Sequence, residues 1–180
     1  LGVLYEREKN YKEASVQFLR GLKNFETTAN SEGVISEYKN LARISEAQKD
    51  HASALEYYKK AYAKSAADSN PAKQAELNNK IAEELLHAGK DTEALPYLQN
   101  ALPFYQRKNS KKDIAVILRN IGIVHYKTGK YEEALDFFKR STEVDKKLPA
   151  LRLIRDTYLK LFATHRVKSD PSKAAYYSTQ

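Results

Sequence analysis

A period of 40 residues runs through this chain and decides most of what it can fold into. Ala14, Ala54, Ala94, Ala134 and Ala174 fall on one register. Thirteen residues before each alanine stands Leu1, Leu41, Ile81, Ile121 or Leu161, followed at once by Gly2, Ala42, Ala82, Gly122 or Phe162. Four residues after the first four alanines come Phe18, Tyr58, Leu98 and Phe138, and three further on Gly21, Ala61, Ala101 and Ser141. Five copies align without an insertion. A small column beside a large one is what two helices need where they cross closely, because the small positions admit the backbone and the large ones fill either side. A unit of this size cannot bury its apolar stripe alone. The copies must stack, and stability becomes a sum over neighbouring interfaces.

Each copy reads as helix, tight turn, helix. The first helices carry Tyr38, Leu41 and Ser45, or Leu118, Ile121 and His125, at the i, i+3, i+7 spacing of one helical face. The turns are Lys9-Asn10, Lys49-Asp50, Gly89-Lys90, Gly129-Lys130 and Ser169-Asp170. Asp50 and Asp170 suit the N-cap of the next helix, and Pro171 then takes the favoured first helical position. "TTANSEG", "ADSNP", "KNSKKD" and "DKKLP" read as linkers between copies. Ser110 and Asp113 have the spacing of a capping box, with Asp in place of Glu. Pro96 and Pro103 fall inside the second helix of the third copy, where each removes a backbone bond and is expected to bend it. Composition agrees with helix: 6 Gly and 5 Pro leave few loops, and 42% hydrophobic with 30% charged residues suits a folded chain. No apolar run is long enough to cross a bilayer.

The small–large pattern resembles the tetratricopeptide repeat, in a long-period variant. "IGIVHYKTGKYEEALDFFKRSTEVD", residues 121 to 145, follows that pattern nearly position for position, lacking the aromatic expected at His125 and the Pro expected after Asp145. The resemblance implies an all-α, right-handed α-solenoid of about five helix-turn-helix repeats. The chain is then one array over 1–180, with repeats at approximately 1–34, 35–74, 75–114, 115–154 and 155–180, the first and last truncated. The usual period is 34, so six additional residues per unit lengthen the helices by about 9 Å in total. The fifth copy departs from the pattern, with Phe162 in the small column and Pro171 at the turn, and is expected to pack more loosely or to end the array.

Little in the chain points to catalysis. Without Cys there are no disulfides, thiolates or Cys-based zinc sites, and reducing and oxidising compartments fit equally well. The histidines are His51, His87, His125 and His165. His125 and His165 share a column on neighbouring helices, but no third ligand accompanies them, so they read as packing residues in a column also held by Tyr5 and Leu85. No phosphate loop, nucleophile elbow or catalytic dyad occurs. The Glu pairs at 83–84 and 132–133 read as solvated helix faces. The segment is therefore expected to be non-enzymatic, with no cofactor and no metal.

In tetratricopeptide arrays the first helices line a concave groove, and residues flanking the Leu-Ala pair face the ligand. The resemblance places Lys39, Asn40, Arg43, Asn79, Lys80, Glu83, Arg119, Asn120 and Lys160 there. Such a groove would be basic and rich in amides, suited to the backbone of an extended peptide or a partner helix, with an acidic character among the expectations. The carboxylate clamp of chaperone-binding members is not present: Arg43, Lys80, Val116 and Asn120 stand where its residues would be. A net charge of +8 with 13 Tyr invites a nucleic-acid reading. However, Tyr5, Tyr38, Tyr57, Tyr58, Tyr97 and Tyr131 lie in or beside packing columns, and the lysines are spread over turns and outer faces (Lys49, Lys90, Lys111, Lys112, Lys127, Lys130, Lys146, Lys147). Nucleic acid ranks last, as a non-specific effect. "HASALEYYKKAYAKS" and "DPSKAAYYSTQ" look similar to the N-terminal sensing regions of bacterial sensor histidine kinases and related regulators. A free-standing adaptor or peptide-responsive regulator is the alternative. Both ends lie inside amphipathic patterns, so the segment is expected to derive from a longer protein, whose compartment the sequence leaves open between cytoplasm and, for a membrane sensor, periplasm.

Overall fold

The computed structural model describes residues 1–66, 70–146, 152, 154, 155, 159, 163 and 171–179. Among these the regular elements are all helices: α1 (Gly2–Arg7), α2 (Tyr11–Thr27), α3 (Ser31–Ala47), α4 (His51–Ser65), α5 (Pro71–His87), α6 (Asp91–Arg107), α7 (Lys111–Lys127), α8 (Tyr131–Val144) and α9 (Pro171–Ser178). Five of them are 17 residues long, as the long period requires. Contacts divide the chain into two compact units, Leu1–Tyr97 and Leu98–Gln180, with the division falling inside α6.

The turns reveal a finer period of 20. Lys9, Ala29, Lys49, Gly89, Asn109 and Gly129 all have positive φ. The next residue's N–H reaches back five places each time: Asn10 to Tyr5, Asn30 to Phe25, Asp50 to Ser45, Lys90 to Leu85, Ser110 to Tyr105 and Lys130 to His125, at 2.8–3.1 Å. This is the Schellman ending, which satisfies carbonyls that the helix itself leaves open. The same short turn thus serves within and between copies. The predicted linkers are correspondingly too long, because Ser31 and Lys111 already open helices. Asn10, Asn30, Asp50 and Asn70 cap the following helices by accepting backbone N–H bonds. The capping box at Ser110 does not form. Its hydroxyl instead donates to the Asp113 carboxylate, and α7 has no side-chain cap.

In the first unit Ala14, Phe18, Leu22, Val34, Leu41 and Ile44 make the core, with Tyr5, Tyr11, Phe25, Tyr38 and Tyr57 packed against it. In the second, Ala134 and Phe138 are fully buried with Ile123, Tyr126 and Ile154 around them. The small column does what its spacing implies. A Cβ on Gly2 would stand 2.5 Å from the Phe18 ring, and one on Gly122 2.5 Å from that of Phe138. Ala42 and Ala82, also fully buried, stand at the same register in copies whose large residue is Tyr58 or Leu98 instead. α6 keeps one helical span through Pro96 and Pro103. Both prolines are exposed, so the carbonyls they leave unbonded can turn to water. Phe162 lies outside the described residues, and Pro171 opens α9.

Candidate functional site

The predicted groove residues of the first unit sit on α3 and α5, the first helices of successive hairpins, and they are not free cations. Lys39 Nζ lies 2.6 Å from Glu76 Oε1. Arg43 forks onto the Glu6 carboxylate of α1, with Nε donating at 3.2 Å. Lys80 Nζ is held between Glu46 Oε1 at 3.2 Å and Glu83 Oε2 at 3.1 Å. Burial tends to lower the Lys80 pKa, but Glu83 and Glu46 outweigh it and the net shift is upward. Asn40 donates to Glu37, and Asn79 donates to Glu83. Lys73 adds a further tie to Glu32 across the same helices. The face is therefore a polar wall of both signs, cross-linked from α1 through α3 to α5. A recess of about 180 Å³ opens beside it, lined by Glu32, Ile35, Ser36, Lys39 and Lys73.

In the second unit α7 carries Arg119 and Asn120. Asn120 is only 5% exposed, so it is a packing residue more than a contact residue. Arg119 is half-buried, and its Nε has no hydrogen-bond partner among the described residues. Lys160 lies outside the described residues.

One cluster escaped the reading of the sequence. Glu84, which the sequence places on a solvated face beside Glu83, is instead 2% exposed. Its Oε2 is 2.8 Å from Nδ1 of His51, whose ring stacks on that of His87 with centroids 4.4 Å apart. Burial raises the Glu84 pKa, a hydrogen bond with Glu46 raises it further, and His51 opposes both. Glu46 also bonds the hydroxyl of Tyr58, a fully buried ring whose pKa is pushed up by burial and then by Glu46. Glu46 therefore joins the buried cluster to Lys80 on the open wall. A signal for Glu84 existed: the 40-residue register aligns it with Ile44 and Val124, both buried. By contrast, Glu132 and Glu133 are exposed as expected. Nearby, the Oδ1 atoms of Asn78 and Asn79 are buried without a hydrogen-bond partner among the described residues. His125 does not meet a second histidine among the described residues. It stacks on Phe137 at 5.3 Å, and burial, then Lys130, lower its pKa against Glu133. No group of three or more potential ligands among the described residues could hold a metal ion. No helix there is long and apolar enough to cross a membrane.

Helical hairpins on a fixed register, joined at the six described turns by one turn type and packed through small–large columns, define an all-α repeat scaffold. Within that class, residues 73–147 match the family model described as tetratricopeptide repeat. No curated protein sequence matches the chain. Solved structures share its fold at low identity. BtubC from P. vanneervenii is 20% identical with a TM-score of 0.70, over 98% of this chain and 74% of that one. A signal-transduction ATPase with a tetratricopeptide repeat sensor, from Pyrococcus horikoshii, is 16% identical with a TM-score of 0.72, over 99% of this chain and 28% of that one. A Rap protein complexed with competence and sporulation factor is 18% identical with a TM-score of 0.61, over 98% of this chain and 49% of that one.

Proposed function

We propose that the chain is a protein-interaction scaffold that takes an extended peptide or a partner helix along the first-helix face, in its concave groove. The observation that carries this reading is the wall on α3 and α5. There Lys39, Asn40, Asn79, Lys80 and Glu83 are half-exposed and fixed in place by ion pairs and amide bonds before any ligand arrives. Side chains held in position lose little freedom on binding, which is where affinity is usually forfeited. Because the lysines are already neutralised by Glu76, Glu46 and Glu83, recognition in this stretch rests on hydrogen bonding more than on net charge. The test is to select extended peptides from a displayed random library on the 180-residue chain, then titrate one calorimetrically. Asn40→Ala with Asn79→Ala should weaken it about tenfold, or about 1.4 kcal/mol, with unchanged helical circular dichroism. Unchanged affinity would remove this face from consideration.

The finer context is a regulatory or sensing segment of a larger signalling protein, such as a bacterial sensor histidine kinase. Support comes from fold likeness to the signal-transduction ATPase, whose repeats are a sensor, and to the Rap protein bound to a factor. A free-standing adaptor or peptide-responsive regulator is the second reading. A heptad segment or kinase motifs encoded beside this stretch would sustain the first, and further repeats the second.

A further inference from the structure

The net charge of +8 is confined to one unit. Leu1–Tyr97 has 14 Lys and Arg against 15 Asp and Glu, a net −1, whereas Leu98–Gln180 has 17 against 8, a net +9. The lysines of the second unit are also not scattered. α6 ends at Arg107 and turns through Lys108 into Lys111 and Lys112. α8 runs antiparallel to α7, and the Ser141 hydroxyl donates to the Ala115 carbonyl at 2.7 Å, which brings the end of α8 and Lys146 to the start of α7. Arg107, Lys108, Lys111, Lys112 and Lys146 thus share one edge, and all five are exposed.

In the first unit Lys39, Lys73 and Lys80 each meet a carboxylate on another helix. On this edge, among the described residues, no carboxylate pairs with Arg107, Lys111, Lys112 or Lys146. Asp113, the nearest acid in sequence, is engaged by Ser110. The register sharpens the contrast: Lys112 stands where Glu32 stands two copies earlier, and Glu32 is the residue that neutralises Lys73. Lys111 and Lys112 also occupy the first turn of α7, the positive end of the helix dipole, where cations cost stability. The fold gains nothing visible from them there.

We propose that this edge docks an acidic protein segment, rich in Asp and Glu, that supplies the missing carboxylates. The chemistry favours that partner over a nucleic acid. A phosphate backbone is charged at every residue, and Asp113, Glu143 and Asp145 lie among the lysines and would oppose some of its phosphates. An acidic protein segment can set neutral residues opposite them. Nor is there a stacking platform at the turn, since Phe104 is half-buried, meets Tyr105 edge-on and carries the Lys108 ammonium 5.2 Å above its ring. This surface is separate from the α3–α5 wall and stands without it.

The experiment titrates the chain with a fluorescent oligoglutamate, an oligodeoxynucleotide of the same net charge, and anionic phospholipid vesicles. Oligoglutamate should bind tightest at equal salt and weaken as salt rises. Lys111→Glu with Lys112→Glu should cost about tenfold or more at about 0.15 M ionic strength. Lys59→Glu with Lys90→Glu, the same charge change in the first unit, should leave binding within about twofold once the weaker long-range attraction is screened. Acidic residues suit a helix N-terminus, so the first pair should hold or raise thermal stability, and lost binding cannot be ascribed to unfolding. Equal losses for both pairs, no oligoglutamate binding, or tighter binding to the oligonucleotide or the vesicles would each overturn the proposal.

Discussion

α5 and α7 occupy the same place in their hairpins, two copies of one helix, yet they bury different chemistry. Where α7 buries Leu118 and Val124, α5 buries Asn78 and Glu84; where α5 buries Leu85, α7 sets the half-buried His125. The backbone is indifferent, since both helices are 17 residues long and close on a glycine with positive φ. What differs is the surroundings. Glu84 has His51, Glu46 and, through Glu46, Tyr58 and Lys80 to satisfy it. One copy later the register sets Asp91, Leu86 and Leu98 where His51, Glu46 and Tyr58 stand, so the buried Val124 lacks that set of partners. A repeat can therefore host a buried polar network in one copy without imposing it on the next, because each copy answers only to its own neighbours. Nothing about stacking requires Glu84. Its presence in a column that holds Ile44 and Val124 is what marks the packed α4–α5 pair as more than scaffold.

Exchanging the two chemistries gives the largest effects. Val124→Glu would bury a carboxylate without the partners that Glu84 has, and should cost about 3–5 kcal/mol in chemical denaturation. The reverse change, Glu84→Val, removes a desolvated charge and fills the site as Ile44 and Val124 do. It should be neutral or stabilising, by up to about 1–4 kcal/mol. If Val124→Glu is tolerated, the column does not discriminate between apolar and charged residues. If Glu84→Val is strongly destabilising, the cluster is a structural keystone and not a tolerated intrusion.

The register made the hairpins, the close-packing alanines and the Gly–Phe crossings legible, because those follow from residue size at fixed spacing. The turns were legible only in part. Gly89 and Gly129 announce themselves, but Lys9, Ala29 and Lys49 adopt the same left-handed conformation, at a cost that the Schellman bonds and the Asn or Asp caps offset. A reader looking for glycine misses the 20-residue period. The groove residues could be named but not their ion pairs, since partners such as Glu6 for Arg43 and Glu76 for Lys39 lie 37 residues away in sequence and on other helices. Glu84 was missed for a different reason. Two adjacent glutamates look alike in sequence, while helical geometry turns Glu83 outward and Glu84 inward.

The N-termini of the same two helices separate on a smaller scale. Asn70 accepts backbone N–H bonds from Ala72 and Lys73, whereas Ser110 spends its hydroxyl on Asp113. Asn70→Ala should therefore cost about 1 kcal/mol, and Ser110→Ala much less. Ser110→Asn, which brings the α5 cap to α7, should recover a few tenths of a kcal/mol or more. Thermal unfolding of the three variants checks the order. Equal losses for Asn70→Ala and Ser110→Ala would mean that Ser110 caps α7 after all.

Acid separates the helices in opposite directions, and this is the smallest of the expected effects. His125 has a folded pKa lowered by burial and by Lys130 against Glu133, so the unfolded chain binds the proton more tightly. Its contribution to stability is complete above its ordinary value of about 6.5 and is lost as the pH falls through the folded pKa. Glu84 has its pKa raised, chiefly by burial and also by Glu46, so its contribution is complete below about 4.5 and is lost as the pH rises through the folded value. Denaturation midpoints measured across this range should show His125→Leu, the residue that α5 carries at that register, flattening the decline below about 6.5. Glu84→Val should remove the compensating gain on further acidification. A decline below 6.5 that survives His125→Leu would assign it to another group. Should the acid limb respond to neither substitution, the polar cluster on α5 and the half-buried imidazole on α7 would not set how this array responds to protons.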